Sequence, residues 1–83
     1  MNYIIVEVFL PAANKPFDIK ISKNSMMWEV VKLVSNALEE LSDGMYKASE
    51  DSILCNRDTG TIYNINLSIE ELGLLDGSRL ILI

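Results

Sequence analysis

Apolar and polar residues alternate from Tyr3 to Leu10, and Glu7 sets the phase. Ile4, Val6, Val8 and Leu10 then share one face, while Tyr3, Ile5, Glu7 and Phe9 share the other. Pro11 to Pro16 reads as a loop, because two prolines that cannot donate to a ladder bound it. Phe17-Asp18-Ile19-Lys20-Ile21 alternates again, with Phe17, Ile19 and Ile21 inward and Asp18 and Lys20 toward water. Two alternating runs around a short connection predict an N-terminal hairpin.

The period then changes. Met27, Val31, Val34, Leu38 and Leu41 recur at spacings of four and three, with Val30 and Ala37 widening the stripe. Glu29, Lys32, Ser35, Asn36 and Glu39 cover the opposite side, so the pattern predicts an amphipathic helix over Met26 to Leu41. Asn24-Ser25 supplies a predicted N-cap, and Ser42-Asp43-Gly44 a stop. Glu29 lies four positions after Ser25, one too many for a capping box, which leaves it a charge–dipole role.

Beyond the helix the pattern weakens. Met45 to Asp51 is acidic and reads as loop. Ser52 to Asn56 and Ile62 to Ile65 are short predicted strands around a turn at Arg57 to Thr61, where Gly60 suits positive φ. Ser68 to Leu72 has an N-cap serine and early acids, the marks of one helical turn. Gly73 and Gly77 punctuate the next loop, and Arg79 to Ile83 forms a closing strand. The order is ββαββ with a short turn in its second half. Without repeats or linkers, residues 1–83 read as one α+β domain with a four- to five-stranded sheet and one main helix.

Composition narrows the function. Eighty-three residues support a single small core. An apolar content of 49% is ordinary for a globular chain, and no run approaches the ~18 apolar residues that span a bilayer. The stretch from Met1 to Glu7 lacks the basic start and small-residue cleavage site of a signal peptide. With Cys55 as the one cysteine, a disulfide framework is excluded, and the expected home is the cytoplasm. A net charge of −5 without a basic run argues against nucleic acid and against anionic membrane surfaces, leaving proteins as expected partners. No histidine is present, so the commonest general base, a Cys–His pair and a Cys/His zinc site are all missing. No cofactor, metal or catalytic residue is predicted. Cys55 reads as a buried strand residue rather than a reactive thiol. The acids Glu39, Glu40, Asp43, Glu50 and Asp51 lack calcium-loop spacing and read as a solvated edge. Trp28 is expected to pack near the helix start, a recognition anchor being its other reading, and Met26 and Met27 to fill core.

Ile69, Leu72, Gly73, Leu74, Asp76, Gly77 and Leu80 follow the pattern of apolar anchor, helical turn, glycine and final strand seen where a ubiquitin-like β-grasp closes. More narrowly, Pro16 to Ile21, the Val-Val-Lys-Leu-Val run at Val30 to Val34, and Leu74 to Leu80 make the chain similar to the YukD/EsaB group found with bacterial type VII (WXG100) secretion systems. The resemblance implies a β-grasp whose first and last strands lie parallel at the sheet centre, with the helix across one face. It also implies a non-conjugated accessory working beside a membrane-embedded secretion machine, with a secretion ATPase or membrane component as partner. The family carries no catalytic residues over. Ending on Leu82-Ile83 rather than a diglycine disfavours conjugation and a ThiS/MoaD-type sulfur carrier, which only a longer natural terminus would restore. A regulatory β-grasp subunit of a multicomponent enzyme is the remaining alternative.

With Leu80 and Leu82 facing the helix, Ile81 and Ile83 fall on the open face. The neighbouring first strand sets Tyr3, Ile5 and Phe9 beside them. These five form the predicted partner-binding surface, with a homodimer among the candidates. Cover by a loop, or a face assignment slipped by one, is the alternative.

Overall fold

The computed structural model describes residues 2–83; of the stretch read against a signal peptide, Met1 lies outside them. Its elements are β1 (Tyr3–Leu10), β2 (Lys15–Ser22), α1 (Met27–Leu41), β3 (Leu54–Asn56) and β4 (Arg79–Leu82). The four strands form one sheet in the order β2-β1-β4-β3. β1 pairs antiparallel with β2 and parallel with β4, and β3 pairs antiparallel with β4. The first and last strands thus lie side by side at the centre, as the β-grasp resemblance implies.

Alternation along β1 sends Ile4, Val6, Val8 and Leu10 into the core, where all four are buried. Ile21, Leu54, Leu80 and Leu82 join them from the other strands, and Met27, Val30, Val34 and Leu38 from the helix. Phe17 and Ile19 pack against the same cluster but stay half-buried, because β2 is an edge strand. That edge tolerates Pro16, which lies inside β2 rather than in the connecting turn.

Several helix expectations change. The N-cap is Met26, not Asn24 or Ser25: a bridge to Ser68 holds Met26 extended, so the helix starts one residue later. Glu29 thereby becomes the third helical residue, and its Oε1 accepts the Met26 N–H at 2.9 Å. The first two helical amides find partners in a distant loop. Met27 donates to the Leu67 carbonyl at 2.8 Å and Trp28 to that of Ile65 at 3.2 Å. Ser35, expected outside, is buried, its hydroxyl donating to the Lys32 carbonyl at 3.2 Å. Leu41, expected inside, is exposed, because the last turn runs beyond what sheet and loops cover. The helix ends as the stop signal suggested, with Asp43 at φ 54 and Gly44 at φ 79. Their amides return to the Glu40 and Glu39 carbonyls, the double bond of a Schellman end.

The predicted strand at Ile62 to Ile65 does not form. Ile62 makes one isolated bridge to Cys55, after which the chain turns away. Asn64 closes that turn by accepting the Asn66 amide at 2.9 Å, and the carbonyls that follow are those that satisfy the helix. At Ser68 the expected turn carries a full capping box. The Ser68 amide donates to Glu71 Oε1 at 2.9 Å, and Ser68 Oγ accepts the Glu71 amide at 3.1 Å.

Candidate interaction surface

The parallel register of β1 and β4 sets Glu7 against Arg79, Val8 against Leu80 and Phe9 against Ile81. Side chains of paired residues share a face, so the sheet surface away from the helix is read row by row. One row runs Pro16, Phe9, Ile81, Cys55, and the isolated bridge extends it to Ile62. Ile83 and Ile53 exchange both backbone hydrogen bonds, at 3.2 and 3.0 Å, and so form a second apolar pair on the same face. Within this end Phe9 and Ile81 are half-buried and Cys55 is buried, while Ile62 and Ile83 are each 60% exposed.

All five predicted residues therefore lie on one face, but the structure does not bring them into one patch. Between Ile5 and Phe9 stands a charged row. Glu7 Oε2 lies 3.3 Å from Arg57 Nη1 and 3.6 Å from Arg79 Nε, and Arg79 Nη1 lies 3.2 Å from Asp58 Oδ1. Arg57 also stacks over the Phe9 ring, 4.2 Å from its centroid. These groups are partly exposed, so each pair stabilises by at most about 1 kcal/mol. Their larger effect is to divide the face. Beyond the charged row, Ile5 is 44% exposed and Tyr3 lies under Lys20, whose Nζ is 4.9 Å from the ring centroid.

Sequence reading missed Ile62, Ile53 and the charged row. Glu7 was legible as outward-facing, but its alignment with Arg79 needs the parallel register, and Ile62 needs a single bridge that leaves no periodic trace. Next to this end the Tyr63 phenol is pushed up from its ordinary pKa, chiefly by burial, with an Asn56 hydrogen bond opposing. Cys55 is a free, buried thiol. Among the described residues, no three His, Cys, Asp or Glu side chains converge to hold a metal ion. No helix there is long and apolar enough to cross a membrane.

No family model matches the chain, and no curated protein does. Solved structures do. The ubiquitin-like domain of the Mycobacterium tuberculosis type VII secretion system protein EccD1 superposes with a TM-score of 0.78 at 15% identity, over 100% of this chain and 99% of that one. The EccD5 ubiquitin-like domain from Mycobacterium xenopi gives 0.70 at 24% identity, over 100% and 94%. The ubiquitin of Caldiarchaeum subterraneum gives 0.71 at 17% identity, over 98% and 91%. At these identities the likeness establishes the fold: a ubiquitin-like β-grasp with one helix packed on a mixed four-stranded sheet.

Proposed function

We propose that the chain is a non-conjugated protein-interaction module, a cytoplasmic accessory of a bacterial type VII secretion system related to the YukD/EsaB group. It has no catalytic activity of its own. Its partner is a secretion ATPase or a membrane component, engaged through the open sheet face. The observation that carries the reading is the apolar end of that face, where Ile62 and Ile83 stand uncovered beside Phe9 and Ile81. Surface aliphatic and aromatic groups gathered this way are what a partner desolvates on binding. The full-length likeness to the EccD1 domain supports the choice of secretion system, as do the YukD-like residues of β2, α1 and the closing loop. Affinity purification from the native host at physiological salt tests it, using wild type beside Ile81→Asp and Ile5→Asp. Wild type is expected to recover a secretion ATPase or membrane subunit, and the folded Ile81→Asp variant to lose it. Recovery of an adenylating enzyme, or equal recovery by Ile81→Asp, overturns the reading.

A further inference from the structure

Charge is distributed unevenly over this domain. The sheet-face acids Glu7 and Asp58 are neutralised by Arg57 and Arg79. Residues 27–51 instead carry Glu29, Glu39, Glu40, Asp43, Glu50 and Asp51 against Lys32 and Lys47 alone. On that side a groove of about 560 Å³ runs between the helix and the segments that follow it. Its apolar wall is Trp28, Val31, Ala48 and Ile65, with Lys32 and Glu50 on the rim. Trp28 and Ile65 are 51% and 50% exposed. Trp28 was expected as packing; instead its ring stands half in solvent at the groove, while its backbone is fixed by the bond to Ile65.

The groove shares its lining residue Asn36 with a second depression, which is lined also by Glu39, Glu40, Asp43 and Gly44. Glu39 is partly committed, since its Oε1 accepts the Ala48 amide at 2.7 Å. Glu40 and Asp43 are exposed, and among the described residues neither makes an ion pair. Taken together as one channel, the two adjoining depressions have an aromatic, apolar end and an acidic end with free carboxylates. From Trp28 to Glu40 the helix rises about 18 Å, the length of five or six extended residues.

We propose that this channel docks a short extended polypeptide segment with an apolar side chain at one end and lysine or arginine at the other. The apolar group lies against Trp28 and Ile65, and the cations meet Glu40 and Asp43. Lys32 and Glu50 offset each other at the apolar end, so the unbalanced negative charge lies at Glu40 and Asp43 and favours the segment's cations there. A second copy of this chain is a poor occupant, because its corresponding side is equally acidic. The site lies on the helix side, away from the open sheet face, and does not rest on the secretion reading. A domain holding both would bridge two proteins.

The chain's single tryptophan lies in the channel and is itself the reporter. The probes are acetyl-Leu-Phe-Gly-Ser-Lys-Arg-Lys-amide, its reversed sequence, and a version with glutamate at each basic position. One of the two basic peptides is expected to shift Trp28 emission to the blue, with Kd below about 1 mM at low salt. Binding weakens roughly tenfold or more in 0.5 M NaCl. Trp28→Ala, followed by amide chemical shifts, and Glu40→Lys each weaken it about tenfold, whereas Ile81→Asp leaves it unchanged. Shifted amides are expected at Trp28 to Asp43, Ala48 to Ser52 and Ile65. No binding of either basic peptide, equal binding of the acidic one, or shifts confined to the sheet face would overturn the proposal.

Discussion

Between Tyr3 and Leu38, burial follows from a residue's place in a period: every second residue of β1, then every third or fourth of the helix, points to the core. Between Ser42 and Ser78 the buried apolar residues, Leu54, Cys55, Ile69 and Leu74, follow no period, and the backbone between them is held by single hydrogen bonds of short polar side chains. Ser42 Oγ accepts the Tyr46 amide, Ser52 Oγ accepts the Ser49 amide and pairs with the Tyr46 hydroxyl, and Asn56 Oδ1 accepts the amides of Asp58 and Thr59. The first region is held by the redundancy of many apolar contacts, the second by few contacts that each have one partner. A repeated pattern can lose one member and keep its register. A loop tied by one serine cannot.

This contrast can be tested at four sites, in falling order of effect. Leu80, wholly buried on the central β4, should cost about 2–5 kcal/mol when changed to alanine, read by chemical denaturation. The exposed Leu75→Ala should stay within about 0.5 kcal/mol. Equal losses at the two positions would deny the central strands their organising role. Next, Tyr46→Phe deprives the buried Ser52 hydroxyl of a partner and should cost about 1–2 kcal/mol. Amide exchange should accelerate at Tyr46 to Ser52 while the protection of β1 falls only with global stability. Uniform acceleration would mean the loop is not an independent unit.

Ser68→Ala should cost about 1 kcal/mol by removing a working cap, whereas Ser25→Ala, at the position sequence favoured, should change stability by a few tenths at most. The reverse ranking would restore Ser25 as the cap.

The smallest effect is electrostatic. Glu71 has its carboxyl held below the ordinary range, first by the Ser68 amide and then by the Ser68 hydroxyl, against slight desolvation. Because the folded value is the lower one, its contribution is present above the unfolded carboxylate pKa of about 4.3 and is lost as pH falls through the folded value. Glu71→Gln should therefore lower stability slightly at neutral pH and leave it unchanged below the folded value, which flattens the acid limb of the stability profile. An unchanged limb would show the carboxylate bond to be unimportant in solution.

Legibility divides along the same line. The hairpin and the helix were readable because Ile4, Val6 and Val8, or Val34 and Leu38, repeat a geometric period that water enforces, whereas the central pairing was implied by the β-grasp resemblance. Ile62 to Ile65 was misread as a strand because β-branched and aromatic residues follow a turn there, but the carbonyls of Ile65 and Leu67 are claimed by Trp28 and Met27, some forty positions away. Ser25 was misread as a cap for the same reason: the loop supplies from a distance what the serine offered locally. The open sheet face was half legible. Parity along β1 and β4 placed Tyr3, Ile5, Phe9, Ile81 and Ile83 correctly, but only the register shows Glu7 and Arg79 cutting between them. The groove left a weaker trace still, since an exposed tryptophan in a first helical turn looks like packing until its surroundings are known.

The pairing of the first strand with the last also sets a timetable. The Ile5 amide donates to Asp76 across 71 positions, and both centre strands wait for that closure. At synthesis rates of about 5–20 residues per second, β1 and β2 spend several seconds without the neighbour that completes their sheet. Contacts this distant in sequence make closure slow relative to helix formation. For that interval the long, apolar β1 has an open edge, and the nascent chain is most exposed to aggregation just before its final strand emerges.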